Sequence, residues 1–259
     1  MCTAFVRKGK DIITGFNFDM NEGGMDYIPV IEEKRVFLGM RFPDMILNLL
    51  PEKQRPKNGI RLIQGVSDGG YAGGQLCNLR FTKAPTRYEK NMLTLDRLTD
   101  RFVTDKLGCE DTVKLLQKTD AMNVPSIQGL SGGGETLALH GLFVDPSGNV
   151  LFVEPGNGYA VIRENYFTVT NFSILEPPLD LDEEYFGMYG VDRYRKSLQI
   201  LKNSTEDFSV QHGLRLLETV KQTGEWATRF SFVYSRNENT VYFCTEGDFD
   251  HIQVYPFGR

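Results

Sequence analysis

Short apolar and alternating runs, bounded by polar or glycine-rich turns, recur along this chain, and they predict strands. Residues 3–6 and 11–16 (DIITGF) flank the polar turn Arg7-Lys8-Gly9-Lys10 and predict a β-hairpin. Its return strand would carry Phe16, Asn17 and Asp19 back beside the chain start. Further strands are expected at 27–31, 34–38 and 60–66, the last leading into the glycine-rich run 67–74 and then Gln75-Leu76-Cys77-Asn78-Leu79. Between about 93 and 119 the period lengthens to three and four residues, which predicts two helices around Gly108. Strands return at 137–145, 149–154, 159–163 and 166–171, with Pro-Ser-Gly and Pro-Gly-Asn-Gly at the turns. A helical zone follows at about 183–203, then a helix at 209–223 closed by Gly224. The chain finishes in strands at 229–235, 240–245 and 251–255.

Hairpins need antiparallel pairing, so a purely parallel βαβ repeat does not fit. The pattern predicts an α+β protein in which sheets are covered by helices, with residues 1–259 forming one domain. At 259 residues a full-size core is available. The formal charge of −5, with no block of Lys or Arg, leaves a nucleic-acid role without an electrostatic footing. No apolar run reaches the length of a membrane span. The start, MCTAFVRKGKD, has no apolar signal region, so a cytoplasmic location is expected. Cys2, Cys77, Cys109 and Cys244 are as scattered as His140, His212 and His251, which argues against a disulfide scaffold or zinc site; no cofactor is expected.

Cys2 changes the picture. Loss of Met1 would place a thiol and a free α-amine on one residue. With intrinsic pKa values of about 8.5 and about 8, both groups are poised near neutrality, and the residue carries its own base. Asp19 would be returned to that amine by the hairpin, where a carboxylate can orient it. Asn78 and Asn171 end strands in apolar surroundings, so each is either a structural bridge or a polar group aimed at a developing oxyanion. The glycine runs at 67–74 and 131–134 fit neither phosphate-loop pattern, and close backbone approach or a wide turn is the better use of them. Gly129-Leu130-Ser131-Gly132-Gly133 formally meets the nucleophile-elbow pattern, but without a clear strand before it or helix after it, Ser131 is the weaker nucleophile candidate.

Taken in order, Cys2-Thr3, Gly15-Phe16-Asn17-Phe18-Asp19, Cys77-Asn78-Leu79 and Val169-Thr170-Asn171 resemble the choloylglycine hydrolase family, which includes bile salt hydrolases and penicillin V acylases. The stretches HGLFVDPSGNVLFVE, ending in Glu154, and TRFSFVYSRNENTVYF extend the likeness to about residue 250. The resemblance implies a four-layer αββα sandwich of the N-terminal-nucleophile hydrolase type. It implies Cys2 as nucleophile with its α-amine as base, Asp19 holding the amine, Asn78 in the oxyanion hole, Asn171 orienting amine and substrate, and Arg229 as the late active-site arginine. The family motif reads Gly-Arg-Asn-x-Asp, whereas here Phe16 takes the arginine position. Either another cation such as Arg41 or Arg229 replaces it, or the substrate differs, or catalysis is weakened. The implied partner is a small-molecule N-acyl amide or penicillin V-like substrate, cleaved through a thioester. A binding protein of the same fold and an acyltransferase are the alternatives, and a homo-oligomer is compatible with any of them.

Overall fold

In a computed structural model the described residues are 2–21, 26–41, 55–56, 59–78, 93–119, 121–122, 138–177 and 190–258. The chain start forms the expected hairpin, β1 (Cys2–Lys8) and β2 (Ile12–Asp19), with Cys2 opposite Phe18 and Ala4 opposite Phe16. A second meander follows: β3 (Asp26–Glu32), β4 (Arg35–Arg41), β5 (Ile60–Ser67) and β6 (Tyr71–Cys77). The glycine run between β5 and β6 is used in both expected ways. Gly69 and Gly70 turn the chain at φ of 80° and 93°. Gly74 lies inside β6, where a Cβ would meet the Phe16 ring at 2.7 Å.

A short parallel pair, β7 (Leu93–Thr94) and β8 (Ala121–Met122), brackets helices α1 (Leu95–Thr104) and α2 (Cys109–Leu116), which meet at Gly108 as expected. Then come β9 (Leu139–Val144), β10 (Val150–Glu154), β11 (Gly158–Ile162) and β12 (Tyr166–Val169). Helices α3 (Val191–Asn203) and α4 (Val210–Thr219) precede β13 (Thr228–Ser235), β14 (Thr240–Thr245) and β15 (Gln253–Pro256). Helix α4 ends earlier than the expected residue 223. The backbone of Gln222 pairs with Thr228 instead, donating to its Oγ1 at 2.8 Å and accepting its N–H at 3.1 Å. Gly224, at φ 76°, opens a short 3-10 turn rather than closing the helix.

Among the described residues two large antiparallel sheets result, ordered β12-β1-β2-β13-β14-β15 and β11-β10-β9-β6-β5-β4-β3. Alternation along each strand sends one set of side chains between the sheets and the other towards helices. Ala4, Phe16, Phe232, Leu76, Leu142 and Phe152 meet in the space between the sheets. On the outer face of the first sheet, Phe5, Ile13 and Val233 pack against Leu201, Leu216 and Leu217 of α3 and α4. On the outer face of the second, Phe143 and Leu151 meet Leu95, Leu98 and Phe102 of α1. The fold is therefore the αββα sandwich. No helix among the described residues is long and apolar enough to cross a membrane.

Candidate active site

Cys2 opens β1, and its side chain belongs to the apolar cluster between the sheets, with 1% of the residue exposed. Burial pushes its thiol up to about 12, so the sulfur rests protonated. The backbone N–H of Asp19 is directed at that sulfur. Two chemically distinct surroundings therefore meet at this residue: packed apolar side chains around the sulfur, and a polar network behind the nitrogen and carbonyl.

The network begins at the Cys2 nitrogen, which donates to Asn171 Oδ1 at 2.8 Å. Asn171 lies two residues beyond the end of β12, the strand beside β1, so sheet pairing delivers it to the chain start. Its Nδ2 donates to the carbonyl of Cys77 at 2.6 Å, tying the end of β6 to the same point. Asn78 follows, and its backbone N–H is held by Ala138 O at 2.8 Å. The Asn78 side chain is different. It is buried, yet among the described residues neither Nδ2 nor Oδ1 has a hydrogen-bond partner. A buried amide without partners carries a desolvation cost of about 1–3 kcal/mol per group, which an arriving acceptor would relieve.

On the outward face of the sheet lies Arg193, a residue that the strand pattern did not single out. Its Nη1 donates to Cys2 O at 2.8 Å, Thr3 Oγ1 at 3.0 Å and Asp19 Oδ2 at 3.2 Å, while Nη2 reaches Asn171 Oδ1 at 2.8 Å. Gly190 caps the N-terminus of α3 at φ 71°, where a Cβ would come within 2.4 Å of Arg193 Nη2. The one detectable signal is spacing. Arg193, Ser197 and Leu201 recur every fourth residue on the buried face of α3, and an arginine in such a series is out of place unless it has buried partners.

Asp19 is also fully buried, and Thr228 Oγ1 donates to its Oδ1 at 2.6 Å. Burial raises its carboxyl to about 6, against the opposing pull of Arg193 and Thr228. Cys2, Asp19, Asn78 and Asn171 thus lie at one end of the sandwich. Arg229, one residue beyond Thr228, donates from Nη1 to Glu246 at 2.6 Å and from Nε to Met20 O at 3.3 Å. Arg41 pairs with Asp26 at 3.1 Å on exposed strand ends. The guanidinium that binds Cys2 directly is that of Arg193. Phe16, at the motif-arginine position, is fully buried and stacks on Phe232 with centroids 5.1 Å apart. Ser131 and the segment 129–133 lie outside the described residues, as does the first part of the helical zone expected from 183.

No family model matches the chain, and no curated protein matches it in sequence. Solved structures do match in shape. A mutant of conjugated bile acid hydrolase from Clostridium perfringens superposes with a TM-score of 0.64 at 13% identity, over 99% of this chain and 92% of that one. A second variant of that hydrolase gives 0.65 at 13% identity, over 98% and 92%. Penicillin V acylase from Agrobacterium tumefaciens gives 0.56 at 16% identity, over 94% and 83%. At these identities the likeness establishes the shared sandwich fold.

Proposed function

We propose that the chain is a cysteine-dependent hydrolase of linear amides, with Cys2 as nucleophile and its α-amine as base. The observation that carries this reading is the treatment of the Cys2 nitrogen: a buried side-chain oxygen accepts from it, and an arginine fixes that oxygen. A backbone nitrogen inside an ordinary strand needs no such apparatus. While Met1 is attached the nitrogen is an amide and has no basicity, so removal of Met1 is part of the proposal.

With the amine free, Asn171 Oδ1 accepts one of its protons and thereby aims the lone pair. The thiol rests protonated. Deprotonation therefore accompanies attack: the amine takes the proton as sulfur bonds to the amide carbonyl carbon. The carbonyl oxygen becomes an oxyanion, for which the Asn78 amide, unpartnered among the described residues, is an available donor. Collapse expels the leaving amine, which takes the proton from the α-ammonium, and leaves a thioester. Water, deprotonated by the same amine, attacks the thioester and releases the acid. Joining base to nucleophile covalently removes much of the positioning cost of both half-reactions. The side chains around the sulfur are apolar, which favours an apolar acyl group, as in an N-acyl amide or a penicillin V-like substrate.

Two measurements test the reading. Intact-mass analysis of protein made in cells is expected to show loss of one methionine. C2A is expected to abolish hydrolysis of N-acyl p-nitroanilides, and C2S to leave only a trace, because a hydroxyl is far harder to deprotonate near pH 7. Retained Met1 with undiminished hydrolysis would overturn the self-base mechanism.

A further inference from the structure

Asn171 carries three demands at once, accepting from Cys2 and Arg193 and donating to Cys77, and its backbone must be placed to a fraction of an ångström to meet them. Its own strand does not do this, because β12 stops at Val169. Two side chains from the opposite sheet hold the segment 170–175 in its place. His140 on β9 and Glu154 on β10 share the inward face with Leu142 and Phe152 and are themselves 0% and 1% exposed. His140 Nε2 lies 2.7 Å from the carbonyl oxygen of Thr170, the residue before Asn171. A carbonyl only accepts, so Nε2 carries the proton and Nδ1 is bare, with no partner among the described residues. Glu154 takes the other end. Its Oε1 accepts from Asn157 Nδ2 at 2.6 Å and from Ser173 Oγ, and its Oε2 accepts from the backbone N–H groups of Ile174 at 3.1 Å and Leu175 at 3.3 Å.

We infer that His140 and Glu154 are positioning residues for the nucleophile: acting from the second sheet, they clamp both sides of Asn171 so that its side chain holds the Cys2 nitrogen. The inference rests on the reading of that nitrogen as the catalytic base. Two features suit the pair to the task. The histidine is neutral, since burial holds its pKa down to about 4, so it serves as a fixed donor and not as a proton carrier. The carboxylate spends its acceptor capacity on the segment it fixes, including two backbone groups that a mobile loop would leave to water. A merely space-filling pair would not need to reach across the interface between sheets to adjacent positions of one active-site segment.

The geometry distinguishes two amide replacements. Glutamine places its Nε2 close to where the histidine Nε2 stands, whereas asparagine falls short of Thr170 O. H140Q and H140N are compared with the wild type in hydrolysis of an N-acyl p-nitroanilide and in alkylation of Cys2 by iodoacetamide, read by peptide mass. H140N is expected to lower kcat by about tenfold or more with KM little changed, and to change the rate and pH profile of Cys2 alkylation. H140Q is expected to restore most of both, although both variants lose thermal stability relative to the wild type. E154Q, which sets a donor against either the N–H groups of Ile174 and Leu175 or the Asn157 amide, is expected to fall in the same direction as H140N. Cys2 alkylation identical in wild type, H140N and H140Q overturns the clamp, whatever the amidase result. So does a loss of activity that follows melting temperature equally in both histidine variants. If the wild type hydrolyses no amide while H140N alters Cys2 alkylation and H140Q restores it, the amidase reading fails and the clamp stands.

Discussion

Arg193 shows how one side chain can tie a site together. Its fork reaches the backbone of Cys2 and the side chains of Thr3, Asp19 and Asn171, which come from three separate stretches of sequence. A lysine ammonium is a single point charge and cannot bond Cys2 O and Asn171 Oδ1 in the same fixed plane. R193K is therefore expected to lose about a hundredfold in kcat while keeping the fold, checked by steady-state kinetics beside a melting curve. In the sequence, Cys2, Asp19, Asn78 and Asn171 stand out because each is polar or nucleophilic at the end of an apolar alternation. Arg193 stands out far less, because it lies in a helix already rich in Arg and Lys, where the four-residue spacing to Ser197 and Leu201 is the one trace that sets it apart from the exposed Arg195 and Lys196.

The hairpin β1–β2 is the element that decides what Phe16 does. Cys2, Ala4, Phe16 and Phe18 all face the second sheet, and Gly74 on β6 leaves room for the Phe16 ring. The stack of Phe16 on Phe232 contributes about 0.5–1.5 kcal/mol beyond the burial of the rings. A guanidinium in that place would be enclosed by Gly74, Phe232 and other apolar groups. F16R is expected to cost about 3–5 kcal/mol of stability, read from denaturant unfolding, with equal losses of activity for short and long acyl chains. A gain of activity would show that the position opens onto the reacting sulfur. Short apolar runs bounded by turn residues and the helix period located most of the described elements, because strands buried on both faces and amphipathic helices each leave such a trace in the sequence. They missed the end of α4, because the Gln222–Thr228 pairing that stops it is a contact between side chain and backbone and leaves no periodic trace.

Over the whole molecule, the two buried groups with the clearest roles titrate with opposite consequences. Asp19 is raised to about 6, so the folded protein binds its proton more tightly than the unfolded chain does. Stability from this group is present below about pH 4 and is lost as pH rises through 6. His140 is lowered to about 4, so the unfolded chain holds the proton more tightly, and stability from this group is lost as pH falls from about 6.5 to 4. The two slopes oppose each other over nearly the same window. Relative to the wild type, D19N is expected to become less stable as the pH falls from 6 to 4, and H140Q to become more stable. Chemical denaturation at several pH values checks both signs. A shared slope in the two variants would mean that one of the groups is not buried in the state described.

The pairing of β1 with β12 sets residue 4 against residue 169, and the Cys2 nitrogen finds its acceptor at residue 171. That acceptor lies far outside its own hairpin. During synthesis at about 5–20 residues per second, roughly ten to thirty seconds pass before residue 171 is made. Throughout that interval the head of the nascent chain has only its hairpin partner β2 to pair with, and the Cys2 nitrogen lacks the acceptor that Asn171 will supply. Once Asn171 and Arg193 have closed on Cys2, its nitrogen is buried. The long-range sheet order that makes the site slow to assemble thus also gives the proposed maturation its time: the base is unmasked by processing first, and sealed into the protein afterwards.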